Sequence, residues 1–423
     1  MNHPRTSTTT RTPTPARTRG SSKATRPKKV NKAAKASKAK RIKPRISHKR
    51  VRSFVNELFG PTEHAQRVQS LANAVVGITQ VAVLAIHAIG QAYAQVAGIT
   101  AKSGVKQIDR LLSNDNFQLE RVLQTWVSFV VGARKQVVIA LDWTEFDDDK
   151  HSTLAAYLVT NHRRATPLAW QTHAKATLKG NQKRYEYELI EQVHRWIDPN
   201  VEVILLADRG FGDQKLYDYL IMLGWDFSIR FRGGITVTAA NGETKTAQQW
   251  VSASGRAKML RKAKVTDDAF EVPAVVVAWD RKMKEPWCLA TTLAQRSASE
   301  VVKVYGKRFS IEETFRDQKD LHFGMGLKAT HIGKTARRDR LLLLAAVAQA
   351  LLTLLGAAAE AAGLDRYLKV NTVKRRTHSL FRQGLYWYHA LPNTRREWLV
   401  PLMREFDRLL REHAVFNEIF GAI

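Results

Sequence analysis

Residues 137–231 alternate short apolar runs with amphipathic segments, and this alternation limits the possible folds more than any other feature of the sequence. The apolar runs are rich in β-branched residues, which favours buried strands, while the longer segments carry apolar residues at helical spacing. The predicted order is strand, strand, strand, helix, strand, helix, strand, over 137–143, 153–161, 166–174, 181–197, 201–208, 213–224 and 225–231. This order predicts an α/β fold with a mixed sheet flanked by helices.

The segments around this core differ from it in character. Residues 1–50 are predicted to be a disordered basic tail, and 51–132 a helical N-terminal region. The core is predicted over 133–335 and includes a β insertion at about 233–297, where Asn241-Gly242 is typical of a hairpin turn. Residues 336–423 are predicted to be helical.

The chain carries a net charge of +30 on 423 residues. Residues 1–50 contain 17 Lys or Arg and no acid, so +13 remains on the rest of the chain. A basic body attracts polyanions, which favours nucleic acid over an anionic membrane as the partner. The composition of the tail also leaves a transit peptide open as an alternative to a DNA-binding arm.

Two apolar stretches, 73–99 and 341–363, are long enough to cross a bilayer. Each is interrupted by polar residues and is rich in Ala, which is typical of closely packed helices. We therefore expect buried helices and no membrane partner. The single cysteine, Cys288, excludes an intrachain disulfide framework and a multi-thiolate zinc site.

Three acids stand out by their positions. Asp142 and Asp208 are each predicted at the C-terminal end of a buried strand, and Glu312 lies in a predicted helix rich in cations. Carboxylates without a Cys or His cluster suit a hard cation such as Mg²⁺. Two such ions can assist in-line phosphoryl transfer. The run 147–149 of three aspartates is an alternative ligand set, although its position after a strand favours a solvated loop.

The stretch YGKRFSIEETFRDQK, residues 305–319, has a distinctive spacing. Tyr305, Arg308, Glu312 and Lys319 follow one another at steps of three, four and seven, which would place them on one stripe of a continuous helix. This pattern resembles the Tyr-Arg-Glu-Lys signature of bacterial DDE transposases of the insertion-sequence-four type. Asp142 and Asp208 match the first two acids of that family.

The resemblance implies a ribonuclease-H-like catalytic core with helical N- and C-terminal regions and a β insertion before the catalytic glutamate. It implies that Asp142, Asp208 and Glu312 are catalytic and bind Mg²⁺ or Mn²⁺, as two ions. It also implies cleavage at the ends of an insertion sequence, a DNA hairpin intermediate, and joining of the ends to target DNA.

The resemblance further assigns five residues to DNA binding. Tyr305, Arg308 and Lys319 would hold phosphates, Trp287 would support a flipped base, and Arg230 would lie near the hairpin. The implied partners are double-stranded DNA, as terminal inverted repeats and target, and a second copy of the chain in a synaptic homodimer. The implied location is the bacterial cytoplasm, associated with the nucleoid, and the region 51–132 could bind the terminal repeats.

Two other functions remain open at this stage. A non-catalytic DNA-binding relative would keep the basic surface without cleavage, and a stand-alone metal-dependent nuclease would nick DNA without joining it.

Overall fold

The computed structural model describes residues 48–281, 283–322 and 324–411. The predicted basic tail, 1–50, lies outside the described residues except for its last three positions, which begin the first helix. The last part of the predicted C-terminal region, 412–423, also lies outside them.

Within the described residues, five α-helices precede the sheet. The predicted apolar stretch 73–99 is not one helix, because the chain bends by 98° between α2 and α3. The five are α1 (His48–Phe59), α2 (Ala65–Val81), α3 (Ile86–Ala97), α4 (Ala101–Leu112) and α5 (Leu119–Val131).

The described strands form one ten-stranded mixed sheet with the order β3-β2-β1-β4-β5-β10-β9-β8-β6-β7. β1 pairs antiparallel with β2 and parallel with β4, and β4 pairs parallel with β5. The strands are β1 (Gln136–Phe146), β2 (His151–Val159), β3 (Ala165–Ala174), β4 (Glu202–Ala207), β5 (Asp226–Phe231), β6 (Thr236–Thr238), β7 (Thr244–Thr246), β8 (Lys258–Val265), β9 (Phe270–Ala278) and β10 (Trp287–Thr291).

The predicted β insertion extends this sheet. β10 pairs antiparallel with β5, through Cys288 opposite Phe231, and β9 pairs antiparallel with β10. The insertion therefore brings Trp287, at the start of β10, to the edge of the core strands.

Seven further helices flank or follow the sheet: α6 (Gln182–Trp196), α7 (Gln214–Met222), α8 (Ala298–Gly306), α9 (Ser310–Lys319), α10 (Thr335–Ala361), α11 (Leu380–Ala390) and α12 (Arg396–Arg411). By length and composition α10 could span a bilayer, but 94% of its most apolar 18-residue window is buried inside the protein. The apolar residues of α10 thus form part of the core.

The stretch 305–319 departs from the predicted single helix. α8 ends at Gly306, a 3₁₀ turn follows over Lys307–Phe309, and α9 begins at Ser310. Glycine is a poor helix former, so Gly306 is the weak position in this segment. The signature residues are therefore divided between α8 (Tyr305), the 3₁₀ turn (Arg308) and α9 (Glu312 and Lys319).

Candidate active site

Asp142 and Asp208 lie side by side on neighbouring parallel strands. The parallel pairing of β1 with β4 runs as far as Leu141 opposite Ala207, so the two aspartates are the next residues in register. Neighbouring strands are spaced about 4.8 Å apart, which puts the two backbones close together.

The expected place of Asp142 at a strand end is wrong. β1 continues to Phe146 because it remains paired with β2, whose Ala155 lies opposite Asp142. What ends before Asp142 is only the pairing with β4, whose last pair is Leu141 opposite Ala207. Asp208 directly follows β4 and caps the next turn by accepting a hydrogen bond from the Gly210 amide at 2.8 Å.

Arg308 links the first acid to the third. Its Nη1 donates to Asp142 Oδ2 at 3.0 Å, and its Nη2 donates to Glu312 Oε1 at 2.6 Å. The guanidinium is buried, whereas the Glu312 side chain is 50% exposed. A buried arginine is stable only when it is paired, so this bridge holds the start of α9 against β1.

The three carboxylates share one electrostatic environment. Burial raises the pKa of Asp142 to about 6; Arg308 opposes this effect, while the charges of Asp208 and Glu312 add to it. A carboxyl group whose pKa is raised by burial and by like charges is characteristic of functional sites.

An aromatic cluster lies beside the acids. The ring of Trp287 meets Tyr305 edge-on at 5.0 Å and stacks on Phe309 at 5.7 Å. Tyr305 is buried, which raises its pKa to about 12 and keeps the phenol neutral at physiological pH. Phe309 is 39% exposed, so the cluster offers an aromatic edge to solvent.

Phe309 was missed by sequence reasoning. Its only sequence signal is its position four residues after Tyr305, which a helical pattern assigns equally well to packing. The Arg308 guanidinium also lies 4.8 Å from the Phe309 ring, and this contact connects the aromatic cluster with the acidic one.

Arg230, on β5, lies close enough to Tyr305 for its charge to lower the pKa of that phenol. Its guanidinium bonds the Pro286 carbonyl at 3.2 Å and pairs with Glu285 at 2.9 Å. Glu285 also accepts from Arg209, the residue after Asp208, at 3.1 Å. Sequence reasoning did not identify Glu285, since an acid in a polar loop carries no distinguishing pattern.

Lys319 lies away from the three acids. Its ammonium donates to Thr144 Oγ1 at 3.0 Å and to the Glu145 carbonyl at 2.7 Å. Thr144 is two residues beyond Asp142 on the same strand, about 7 Å along it. Burial, followed by the nearby Lys328 charge, lowers the pKa of Lys319 to about 8.

A second missed group supports the segment around Asp208. Glu186 on α6 is buried, and it accepts from Trp143 Nε1 at 3.1 Å and from Lys183 Nζ at 3.0 Å. Lys183 also donates to the Gly210 carbonyl at 3.1 Å. Because Glu186 lies in an ordinary amphipathic helix, nothing in the sequence marks it.

The run 147–149 is only partly the solvated loop that was predicted. Asp147 is exposed and pairs with Lys175, but Asp149 is only 10% exposed. Asp149 pairs with the buried Arg338 and accepts from the Ile332 amide at 3.1 Å. These bonds fasten the turn to the start of α10 and occupy the Asp149 carboxylate.

The donor set of the site suits a hard divalent cation, because carboxylate oxygens are the ligands that Mg²⁺ and Mn²⁺ prefer. Among the described residues, no three His, Cys, Asp or Glu side chains are gathered closely enough to hold a metal ion. The positive charge between Asp142 and Glu312 is instead the Arg308 guanidinium, whose buried Nε has no hydrogen-bond partner within the described part of the chain. The chemistry of the carboxylates therefore fits a metal, while Arg308 supplies their counter-charge.

Comparison with known families agrees with this geometry. The model of the transposase DDE domain matches residues 133–349, which is 217 of the 423 residues. No curated protein matches the chain. The matched range contains the sheet from β1 to β10, all three acids, the aromatic cluster and Lys319. The chain therefore belongs to the transposase DDE domain family.

Proposed function

We propose that this protein is a transposase of the insertion-sequence-four type that cuts DNA at the ends of an insertion sequence and joins those ends to target DNA. The observation that carries the proposal is the Arg308 bridge, which brings Glu312 to Asp142, next in register to Asp208. Binding of double-stranded DNA, which transposition requires, also agrees with the basic charge of the chain.

Asp142, Asp208 and Glu312 would hold Mg²⁺ or Mn²⁺, as two ions. The bound metal would lower the pKa of an attacking water or 3′-hydroxyl and stabilise the leaving oxygen. The protein's own contribution is a set of carboxylates on β1, directly after β4 and on α9, which backbone pairing brings together and whose charge Arg308 balances before a metal binds.

Cationic and phenolic groups around the acids would position the DNA backbone. Arg308 is the cation nearest the reacting phosphate in this proposal, and Lys319 would contact the backbone farther along β1. Charge-assisted hydrogen bonds to phosphate are stronger than neutral ones, so these groups would fix the register of the strand.

The proposed pathway includes a DNA hairpin at each end, which requires one base to leave the stack. A flipped base is stabilised by stacking on an aromatic ring. The cluster of Trp287, Tyr305 and Phe309 beside the acids supports this assignment, and Arg230 would lie at its edge. Two copies of the chain would act together in the synaptic complex, in the bacterial cytoplasm at the nucleoid.

The proposal is tested by a cleavage assay with Mg²⁺ or Mn²⁺ on DNA that carries the ends of the element, with Asp208→Ala run in parallel. We expect nicks, hairpins and joined products from the wild type and none from the variant. Nicks without joined products would instead identify a stand-alone nuclease. Tight binding without cleavage by either protein would identify a non-catalytic DNA-binding relative.

A further inference from the structure

The helices α3 and α4 form a compact unit in the N-terminal region. They are separated by only three residues, Gly98, Ile99 and Thr100. Gly98 ends α3 with φ of +69°, a left-handed conformation that favours glycine, and the Thr100 hydroxyl caps α4 by accepting from the Ser103 amide at 3.2 Å. A three-residue turn that contains glycine has the length and composition typical of the turn in a helix-turn-helix unit.

The two helices approach each other at backbone distance. A Cβ added to Gly104 would lie 2.2 Å from the Gly90 carbonyl oxygen, and one added to Gly90 would lie 2.4 Å from the Val105 Cα. Both positions therefore require glycine. This contact holds α4 in a fixed position on α3. A helix that presents side chains to a ligand needs such a fixed position.

The face of α4 that points away from this contact is polar and basic. Lys102, Ser103, Lys106 and Arg110 are exposed, while Gly104, Ile108, Leu111 and Leu112 are buried. Within the described ranges, no carboxylate pairs with Lys102, Lys106 or Arg110. The one acid of the helix, Asp109, is neutralised by Arg337 at 2.7 Å.

A cleft of about 390 Å³ runs between α2 and this face of α4. It is lined by Arg67 and Ser70 of α2 and by Ser103, Lys106, Gln107 and Arg110 of α4, and none of its lining residues in the described part of the chain is an acid. Arg67 pairs with Glu63 at 2.6 Å, so Lys106 and Arg110 supply the positive charge of the cleft. The surface thus combines positive charge with amide and hydroxyl groups, which complements the phosphates and base edges of DNA.

Gln107 is held in one orientation. Its Oε1 accepts from Asn73 Nδ2 at 3.2 Å, and Asn73 Oδ1 accepts in turn from Arg52 at 2.9 Å. Asn73 is buried, and the arginine can only donate, so the direction of this chain of bonds is fixed. The Gln107 amide nitrogen is consequently presented to the cleft as a donor.

We propose that α4 is the recognition helix of this protein and that it enters the major groove of double-stranded DNA. Gln107 donates to an acceptor on a base edge, and Lys106 and Arg110 contact phosphates. A helix is about 10–12 Å across, which the major groove, about 12 Å wide, accommodates. This inference rests on the proposed function, since it names the surface that would select the ends.

The test uses the full-length protein without divalent metal, so that cleavage plays no part in it. A randomised duplex library is selected on the wild type, and affinities for the enriched duplex and a shuffled one are measured by fluorescence anisotropy. We expect Gln107→Ala to reduce the preference for the enriched duplex by roughly tenfold and to leave the shuffled duplex unaffected.

The cationic residues are expected to behave differently. Lys106→Ala and Arg110→Ala should weaken both duplexes alike and lower the slope of log affinity against log salt by about one. Arg121→Ala is the matched control, because Arg121 is an exposed cation on α5 that does not line the cleft. It should leave both affinities and the salt slope unchanged.

Asn73→Asp distinguishes base reading from a structural role. An aspartate keeps the bond with Arg52 but cannot donate to Gln107, so the Gln107 amide should reverse and present its oxygen to the cleft. The selected base should then change from one that offers an acceptor to one that offers a donor. Retention of the wild-type base would contradict the assignment of Gln107.

The outcomes separate this inference from the proposed function. If Gln107→Ala retains the selectivity of the wild type, the assignment of α4 as the recognition helix is overturned. The transposase proposal is unaffected by that result. A wild type that enriches no motif would overturn base reading by α4, and the metal-dependent cleavage assay would still decide the transposase proposal separately.

Discussion

Arg308 Nη1 donates to Asp142 Oδ2 at 3.0 Å, although the two residues are 166 positions apart in the sequence. The bond joins the 3₁₀ turn between α8 and α9 to the middle of β1. Because the same guanidinium holds Glu312, one buried cation sets the distance between two of the three acids. Arg308 therefore determines the arrangement of the site before any metal or DNA binds.

Replacement of Arg308 should have opposite effects on metal binding and on cleavage. A divalent ion at Asp142 and Glu312 would compete with the guanidinium for these carboxylates, so Arg308→Ala should bind Mn²⁺ more tightly, by roughly tenfold. Cleavage should nevertheless fall by about 100-fold or more, since a positioned cation at the reacting phosphate is lost. Titration with Mn²⁺ followed by electron paramagnetic resonance measures the first effect.

Arg316→Ala is the control for this experiment, because Arg316 is an exposed cation on α9 that pairs with Glu313 and not with the three acids. It should alter neither property. Weaker Mn²⁺ binding by Arg308→Ala would contradict competition and would mean that the guanidinium holds the carboxylates ready for the metal.

Glu312→Gln should retain DNA binding and lose cleavage. The change removes one negative charge from the site but leaves the basic surface intact, so the affinity for DNA should be unchanged or slightly higher. Loss of a metal ligand should slow cleavage by about 100-fold or more. Glu313→Gln is the matched control, because Glu313 is next to Glu312 in the sequence but its carboxylate pairs with Arg164 and Arg316. An equal loss of DNA binding by Glu312→Gln would remove Glu312 from the site.

The raised pKa of Asp142 predicts a pH-dependent cost to stability. The folded carboxyl group has a pKa of about 6 against an ordinary value of 3.8, so it binds its proton more tightly in the folded state. The contribution of Asp142 to stability is therefore greatest below pH 3.8 and declines until the pH passes 6. Asp142→Asn avoids this loss and should be more stable than the wild type at pH 8, by up to about 3 kcal/mol.

Denaturant unfolding at pH 8 and pH 4, in the presence of a chelator, measures this difference. The difference in free energy of unfolding between Asp142→Asn and the wild type should shrink towards zero at pH 4. Asp218→Asn, at an exposed carboxylate on α7, is the control and should show no difference at either pH. A gap of equal size at both pH values would mean that ionisation of Asp142 is not its cause.

Local patterns predict the three acids, Asp142 and Asp208 from strand-like runs and Glu312 from the spacing of residues 305–319. Apolar, β-branched runs predict β1 and β4, and the polar residue after such a run is evident. The continuation of β1 past Asp142 is not evident, since it depends on pairing with β2 beyond the point where pairing with β4 ends. Register between strands is a tertiary property, which the alternation of a single strand does not specify.

The separation of Lys319 from the acids follows from distance along α9. Glu312 and Lys319 both lie on α9, after the 3₁₀ turn, and at a rise of about 1.5 Å per residue they are roughly 10 Å apart along the helix axis. Glu312 remains in reach of Arg308 at four residues' separation. The partners of Phe309 and Glu285 lie on β10, β5 and the loop after β4, and no local pattern could have predicted them.

Trp287→Ala and Phe309→Ala should each allow the first nick and impair the hairpin. The two rings stack at 5.7 Å, and a base stacked on this pair would lose about 1–3 kcal/mol of stabilisation on removal of a ring, or roughly 5- to 150-fold in hairpin yield. Trp398→Ala removes a half-buried tryptophan of α12 that packs on Tyr367 at 4.3 Å, and it controls for general destabilisation. Denaturing gels of end-labelled DNA resolve nick from hairpin. A normal hairpin yield from both variants would contradict base stacking at this cluster, whereas loss of the nick as well would show that the rings support the acids through packing with Tyr305 and Arg308.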